Sequence, residues 1–454
     1  MRTDNNYFIY NAFVVNEGRI FQGDVLIRDG KISKILKSHA PVEDLLMDDN
    51  TLFVDATGKY LLPGVIDAHV HFRQPGLTHK GDMYSESRAA AAGGITSVMD
   101  MPNVNPQTTS VNCAEEKFAM AKNSMFTNYS FYIGASNHNW EEIKKIDTSR
   151  ICGIKLFMGS STGDMLMSDE TVLEKLFQVK NIPIAVHSET ESIILHNLQK
   201  AKEKYGEDIP IAQHEYIRSE EACFSATEKA VKLARRHGTS LHVLHISTAK
   251  ELSLFSDEFP NITSEVCAAY LYFDHNDYPR LGTKIKCNPS IKTTQDREAL
   301  LEAVISGKIS AIGSDHAPHT LEEKQNTYLK APSGIPMVQH TLGLMLEFYK
   351  QDKIKLQQIV ELMCHAPARI FNIKERGFIR EGYFADLVLI DMEKNTNINS
   401  DTVMYKCKWS PFENMQLHTY IEKTFVNGQL TFNSGTFNLP AGMPLEFGRK
   451  EISL

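Results

Sequence analysis

From residue 61 to residue 370 the chain alternates short apolar runs with longer amphipathic ones. The apolar runs 65–68, 97–101, 154–157, 182–186, 241–246 and 309–313 have strand length and are bounded by turn-forming residues, which predicts strands. Between them, runs such as 226–237 and 297–306 carry helical periodicity and end at Gly238 and Gly307. Glycine just past such a run is a helix stop, because it accepts the left-handed backbone there. Strand–helix alternation of this kind predicts a parallel sheet, and at this length a (β/α)8 barrel. Pattern alone also allows a doubly wound open sheet.

Both ends of the chain have a different texture. Asp24–Arg28 and Lys31–Ile35 alternate around Asp29-Gly30, and Lys423–Val426 and Gln429–Phe432 flank Asn427-Gly428. Asp-Gly and Asn-Gly between alternating runs predict two-residue hairpins. Residues 385–390 add another strand. The two ends are therefore expected to build one β-domain together, a small β-sandwich. This divides the chain into 1–60 (first part of the sandwich), 61–370 (barrel) and 371–454 (second part and tail). The segment after Pro440 is expected to be an extended tail or edge.

Composition narrows the class. The 454 residues are 42% hydrophobic, enough for a large domain and a smaller one. A formal net charge of −8 gives no reason to expect nucleic acid or an anionic membrane as partner. The start, Met1-Arg2-Thr3-Asp4, lacks the apolar run of a signal peptide, and no stretch has the length and apolarity of a membrane span. Cys113, Cys152, Cys223, Cys267, Cys287, Cys364 and Cys407 are scattered, which reads as reduced thiols in a cytoplasmic protein.

The chemistry gathers near the ends of the predicted strands. In Asp67-Ala68-His69-Val70-His71, residues two apart on a strand face one way, so His69 and His71 make a natural ligand pair for zinc or a similar ion. An isolated pair of this kind is more often structural; the candidates that follow in order change that. Lys155 lies in the apolar run Gly153–Phe157, where a charged amine is costly. It is either a snorkelling surface lysine or one that becomes neutral and forms a carbamate with CO2. His187 ends an apolar run, His245 lies near the end of another, and Asp315 follows a third. Period-two alternation puts His242 and His245 on opposite faces, and pattern cannot choose between them.

At this point the motifs resemble a known family. The order His-x-His, Lys, His, His, Asp on successive strands is similar to the amidohydrolase superfamily. The segments His71-Phe72-Arg73-Gln74-Pro75-Gly76, Asp100-Met101-Pro102-Asn103, His187-Ser188-Glu189, His245-Ile246-Ser247-Thr248, Tyr278-Pro279-Arg280-Leu281-Gly282 and Ser314-Asp315-His316-Ala317-Pro318-His319-Thr320 resemble the long-chain dihydroorotases within it. The resemblance runs from about Val25 to about Asn427. It implies two Zn2+ ions: His69, His71 and Asp315 would hold the more buried one, His187 and His245 the other, and carboxylated Lys155 would bridge them. It selects His245 over His242. Arg73, Asn103 and His319 would grip a substrate carboxylate, Asn288 the ring, and the backbone of Ala331–Gly334, including Pro332 and Gly334, the same ring. Asp315 would be the catalytic base and acid while a metal-activated hydroxide attacks a small cyclic amide. The implied reaction joins N-carbamoyl-L-aspartate and dihydroorotate, a step of pyrimidine biosynthesis, with a small molecule as partner and a homodimer as the default assembly.

Two segments depart from the family pattern, Glu265–Leu271 and Pro289–Lys292, and both are expected to lie away from the metal ligands. The alternatives are an allantoinase, a hydantoinase or dihydropyrimidinase acting on a neutral ring, and a non-catalytic scaffold. The small-residue loop Met158–Met165 reads as a mobile lid or as an ordinary connection.

Overall fold

The computed structural model describes residues 5–37, 50–159 and 165–453. Residues 160–164 of the loop that reads as a lid lie outside them. Eight parallel strands follow one another in chain order: β1 (Val65–Val70), β2 (Ile95–Asp100), β3 (Asn128–Gly134), β4 (Gly153–Phe157), β5 (Ile184–His187), β6 (Leu241–Val243), β7 (Ile262–Cys267) and β8 (Ala311–Gly313). The ring closes just past β8, where Val70 bridges His316 and the His71 amide donates to the His316 carbonyl at 2.7 Å. Asp67 Oδ1 accepts from the amides of His69 and Ser314, both at 3.1 Å, and ties β1 to β8 a second time. The architecture is the expected (β/α)8 barrel.

The sequence pattern misses β3 and β7. Their sequences, NYSFYIG and ITSEVC, carry polar residues where a buried strand is normally apolar. Those residues are nonetheless buried, because each has a partner. Asn128 Nδ2 donates to Asp386 at 3.0 Å and Ser130 Oγ to the Arg150 carbonyl at 2.7 Å, while Glu265 meets His69 Nδ1 at 2.7 Å. A paired buried polar group is tolerated where an unpaired one is not. The helix read from residue 226 in fact begins at Glu220, capped by the Ser219 side chain, and stops at Gly238 in the left-handed conformation.

Strands from both ends form one nine-stranded sheet. Thr436–Phe437, Gln429–Asn433, Tyr420–Val426, Leu387–Asp391, Tyr60–Pro63, Asn6–Asn16, Arg19–Arg28 and Lys31–Lys37 pair in that order, and Thr51–Asp55 pairs with Asn6–Asn16. Ile9, Val14, Val25, Ile27, Leu61, Leu387, Leu389 and Phe425 share its core. The last residues run extended: Leu445 and Phe447 bury themselves with Ile66, Ala68 and Tyr132 of the barrel, and the Leu445 amide bonds the Tyr129 carbonyl at 2.8 Å. No helix among the described residues is long and apolar enough to cross a membrane. All seven cysteines are free.

Both predicted hairpins form, with positive φ at Asp29, Gly30, Asn427 and Gly428, as this turn type requires. Their tips meet: a Cβ on Gly428 would lie 2.6 Å from the Gly30 Cα. The two ends of the chain are thus joined through a contact that only glycine allows. Gly428→Ala is expected to destabilise the protein by about 1–3 kcal/mol, the usual cost of a non-glycine residue held in that backbone region. Thermal unfolding checks this, and an unchanged midpoint would mean that the two tips do not constrain each other.

Candidate active site

All the sequence-predicted residues line one cavity of about 280 Å3 at the C-terminal mouth of the barrel: His69, His71, Arg73, Asn103, Lys155, His187, His245, Asn288, Asp315, His319, Pro332 and Gly334. Phe157, Ala317 and Ser333 complete the lining. Active sites on this fold occupy this end because strand ends and loops converge there.

His69 and His71 leave β1 side by side, with ring centroids 5.5 Å apart. His69 Nδ1–H donates to Glu265 Oε1 and His71 Nδ1–H to Asn103 Oδ1, each at 2.7 Å. This turns both Nε2 atoms toward Asp315 Oδ1, at 3.1 and 3.0 Å. A neutral ring with its proton on Nδ1 has a lone pair on Nε2, so three acceptors converge on one point. Only a proton or a cation resolves that arrangement. Burial disfavours a charged His69, yet Asp315 and then Glu265 outweigh it and push the imidazole up to about 9. The two carboxylates call for positive charge between them. Donors of this type and spacing fit a divalent ion. His69, Glu265 and Cys267 also cluster, and burial holds the Cys267 thiol far above its usual range.

On the other side of the mouth, His187 Nδ1 lies 2.9 Å from His245 Nε2. Burial keeps both imidazoles below their usual range and therefore neutral, for His187 against the pull of Glu189 and for His245 with the adjacent His187 adding to it. The Glu189 carboxylate stands 3.0 Å from His187 Nε2, off the line of an ideal hydrogen bond, and is itself paired with Arg218. Lys155, 1% exposed, points from β4 into the same space, and burial lowers its pKa to about 7 against the pull of Asp315 and Glu265.

Arg73, 5% exposed, donates through Nε to the Pro318 carbonyl at 3.0 Å and brings Nη2 to 3.0 Å from His319 Nε2. Burial lowers its pKa only to about 10, so it remains charged. Asn288 Oδ1 is buried without a hydrogen-bond partner among the described residues. Arg73, His245 and Asp315 all have φ between 42° and 67°, in the left-handed region. Such strain in non-glycine residues collects where a side chain must be aimed.

Two expectations need correction. His242 and His245 do not obey strand parity. β6 ends at Val243 and the chain turns at His245, so His242 also faces the barrel interior, below the cavity. There it bonds Thr263 Oγ1 at 2.8 Å, packs on Phe371 and lies 3.6 Å from Glu265. The segment Glu265–Leu271 does reach a candidate ligand, through the Glu265–His69 contact. Sequence reading passed over Glu265 because a lone glutamate in an unrecognised strand carries no motif. It also passed over Lys80, 3.0 Å from His319 Nδ1.

Fold and site together define a metal-dependent hydrolase barrel. Residues 60–431 match the Amidohydrolase family, and the chain belongs to it. Within that class it is similar to the dihydroorotase of Methanosphaera stadtmanae, 31% identical over 86% of this chain and 89% of that one. It is also similar to the dihydroorotase of Methanosarcina acetivorans, 30% identical over 96% and 93%. Among solved structures it is similar to the L-hydantoinase (dihydropyrimidinase) from Arthrobacter aurescens, with a TM-score of 0.91 and 27% identity over 97% of this chain and 99% of that one. It is likewise similar to the dihydropyrimidinase from Brevibacillus agri, with a TM-score of 0.86 and 26% identity over 96% of this chain and 97% of that one.

Glu265→Gln keeps the shape of the contact to His69 but removes its charge. It is expected to weaken metal binding about 10- to 100-fold, as loss of a ligand's supporting group does. Competition with a chelator measures this; wild-type affinity in the variant would strip Glu265 of that role.

Proposed function

We propose that this protein interconverts dihydroorotate and N-carbamoyl-L-aspartate by opening and closing a cyclic amide. The observation that carries the choice of substrate is Arg73. Its guanidinium is buried, charged and turned into the cavity, and it makes no ion pair with a carboxylate among the described residues, although Asp315, Asp100, Glu323 and Glu86 act on its charge from a distance. Carboxylates that act only from a distance leave the guanidinium without a contacting partner, and a ring carboxylate offers it a charge-assisted, bidentate one. A neutral ring, as in hydantoin or dihydrouracil, has nothing for it. The dihydroorotases among the chain's relatives support the same choice.

His69, His71 and Asp315 would hold one Zn2+, and His187 and His245 a second. Lys155 would bridge them as a carbamate. Its pKa near 7 leaves much of the amine neutral, so its nitrogen can add to CO2 with loss of one proton. The ions would lower the pKa of water toward neutrality and polarise the attacked carbonyl. Asp315 takes the proton from the attacking water and returns it to the departing ring nitrogen, acting as base and then acid. Arg73, His319 and Asn103 orient the carboxylate end. Asn288 and the backbone of Pro332 and Gly334 meet the ring, and closure runs the same steps in reverse.

Turnover of dihydroorotate, dihydrouracil and allantoin, measured side by side before and after chelation, tests the reading. The expected result is chelator-sensitive, zinc-restorable activity on dihydroorotate alone, with Arg73→Met losing that selectivity. Activity on a neutral ring would overturn the substrate while keeping the class, and metal binding with no turnover would point to a scaffold. Asp315→Asn is expected to lower kcat by at least about 100-fold, the scale of a lost acid–base group, with substrate binding partly retained. A kcat near wild type would remove Asp315 from the proton transfers.

A further inference from the structure

His319 closes the cavity on the side of Arg73, and both of its ring nitrogens are engaged. Lys80 Nζ lies 3.0 Å from Nδ1. The Ser333 carbonyl and Arg73 Nη2 each lie 3.0 Å from Nε2. The ammonium and the guanidinium both only donate, and a neutral ring can accept from just one of them; the Ser333 carbonyl, which can only accept, calls for the proton on Nε2, so Nδ1 accepts from Lys80. The ring is neutral, since burial and then the Arg73 charge hold its pKa down at about 3. A neutral imidazole that accepts at Nδ1 carries its proton on Nε2. That N–H faces the Ser333 carbonyl and stands beside Arg73 Nη2, a second donor. One carboxylate oxygen can accept from both.

We propose that Lys80 is a positioning residue that sets the tautomer of His319, and through it makes the Arg73–His319 pair a two-donor clamp for a carboxylate. Lys80 is well placed for this. Its side chain is 13% exposed, and it is fixed by Glu323 Oε1 at 2.9 Å. Glu323 also supplies the alternative. Its Oε2 lies 3.7 Å from His319 Nδ1, too long for a hydrogen bond but within reach of a small shift. Without the Lys80 donor, the Nδ1–H tautomer would turn to Glu323. The Nε2 lone pair would then accept from Arg73 Nη2, which occupies the guanidinium and repels an incoming carboxylate. The two tautomers thus correspond to an anion-binding and an anion-excluding clamp. The role of the clamp in turnover rests on the reading that the substrate ring bears a carboxylate; the hold of Lys80 on the ring does not.

The test combines a spectroscopic and a kinetic readout on the metal-loaded, full-length protein. In 15N-histidine NMR, with the His319 signals assigned by His319→Gln, the wild type is expected to show the Nε2–H tautomer and Lys80→Met the Nδ1–H tautomer. Lys80→Arg, which keeps a cationic donor, should restore the first and serves as the folding control. In Lys80→Met the KM for dihydroorotate should rise about 10- to 100-fold, the size of one charge-assisted hydrogen bond, with kcat much less affected. An unchanged Nε2–H signature in Lys80→Met would overturn the proposal, as would a loss in kcat with KM intact. A wild type that turns over only neutral rings while Lys80 still controls the tautomer would overturn the substrate reading and leave the positioning role standing.

Discussion

The hydrogen bond from the His71 amide to the His316 carbonyl ties the last strand of the barrel to the first. The site depends on that closure. Asp315 is one residue before the bond and His69 two residues before it, so closing the ring carries a carboxylate from one end of the barrel sequence onto two imidazoles from the other. The left-handed φ of Asp315 aims the side chain inward at the same place. Asp67, bonded to the Ser314 amide, holds the seam from below. An open sheet would leave these groups at opposite edges.

With the seam closed, three of the four imidazoles that could hold a metal have a polar neighbour beside them. Glu265 and Asn103 take the Nδ1 protons of His69 and His71, and Glu189 stands beside His187. Orientation of this kind leaves lone pairs, not protons, facing the centre of the mouth. The two buried cations behave differently because their chemistry differs. Lys155 is brought near neutrality by burial, while Arg73, with its charge delocalised, keeps it. One is suited to become a ligand after reaction with CO2, and the other to hold an anion.

The neighbours among solved structures carry the names of hydantoinases and dihydropyrimidinases, whereas the relatives by sequence are dihydroorotases. The two sets do not conflict. Backbone similarity measures the barrel and its terminal sheet, a scaffold on which cyclic amides of several kinds can be opened. Charge at the cavity wall is where members of such a scaffold can differ, and here that wall carries Arg73 and His319, with Lys80 behind them.

Much of this was legible in the chain itself. Alternating strands and helices, paired turns at the ends, and motifs that each finish an apolar run are local properties, decided by residue order and the period of the backbone. They placed His69, His71, Lys155, His187, His245 and Asp315 at strand ends and both hairpins at their turns. Local pattern could not reveal β3 and β7, whose polar residues are buried only because distant partners satisfy them. Nor could it show that His242 lies below the cavity and His245 in it, since the turn that breaks strand parity follows from packing. Sequence order determined which groups reach the mouth of the barrel. Tertiary structure alone decided which way each ring points and which nitrogen holds the proton, because those depend on Glu265, Asn103 and Lys80, partners brought in from other parts of the fold.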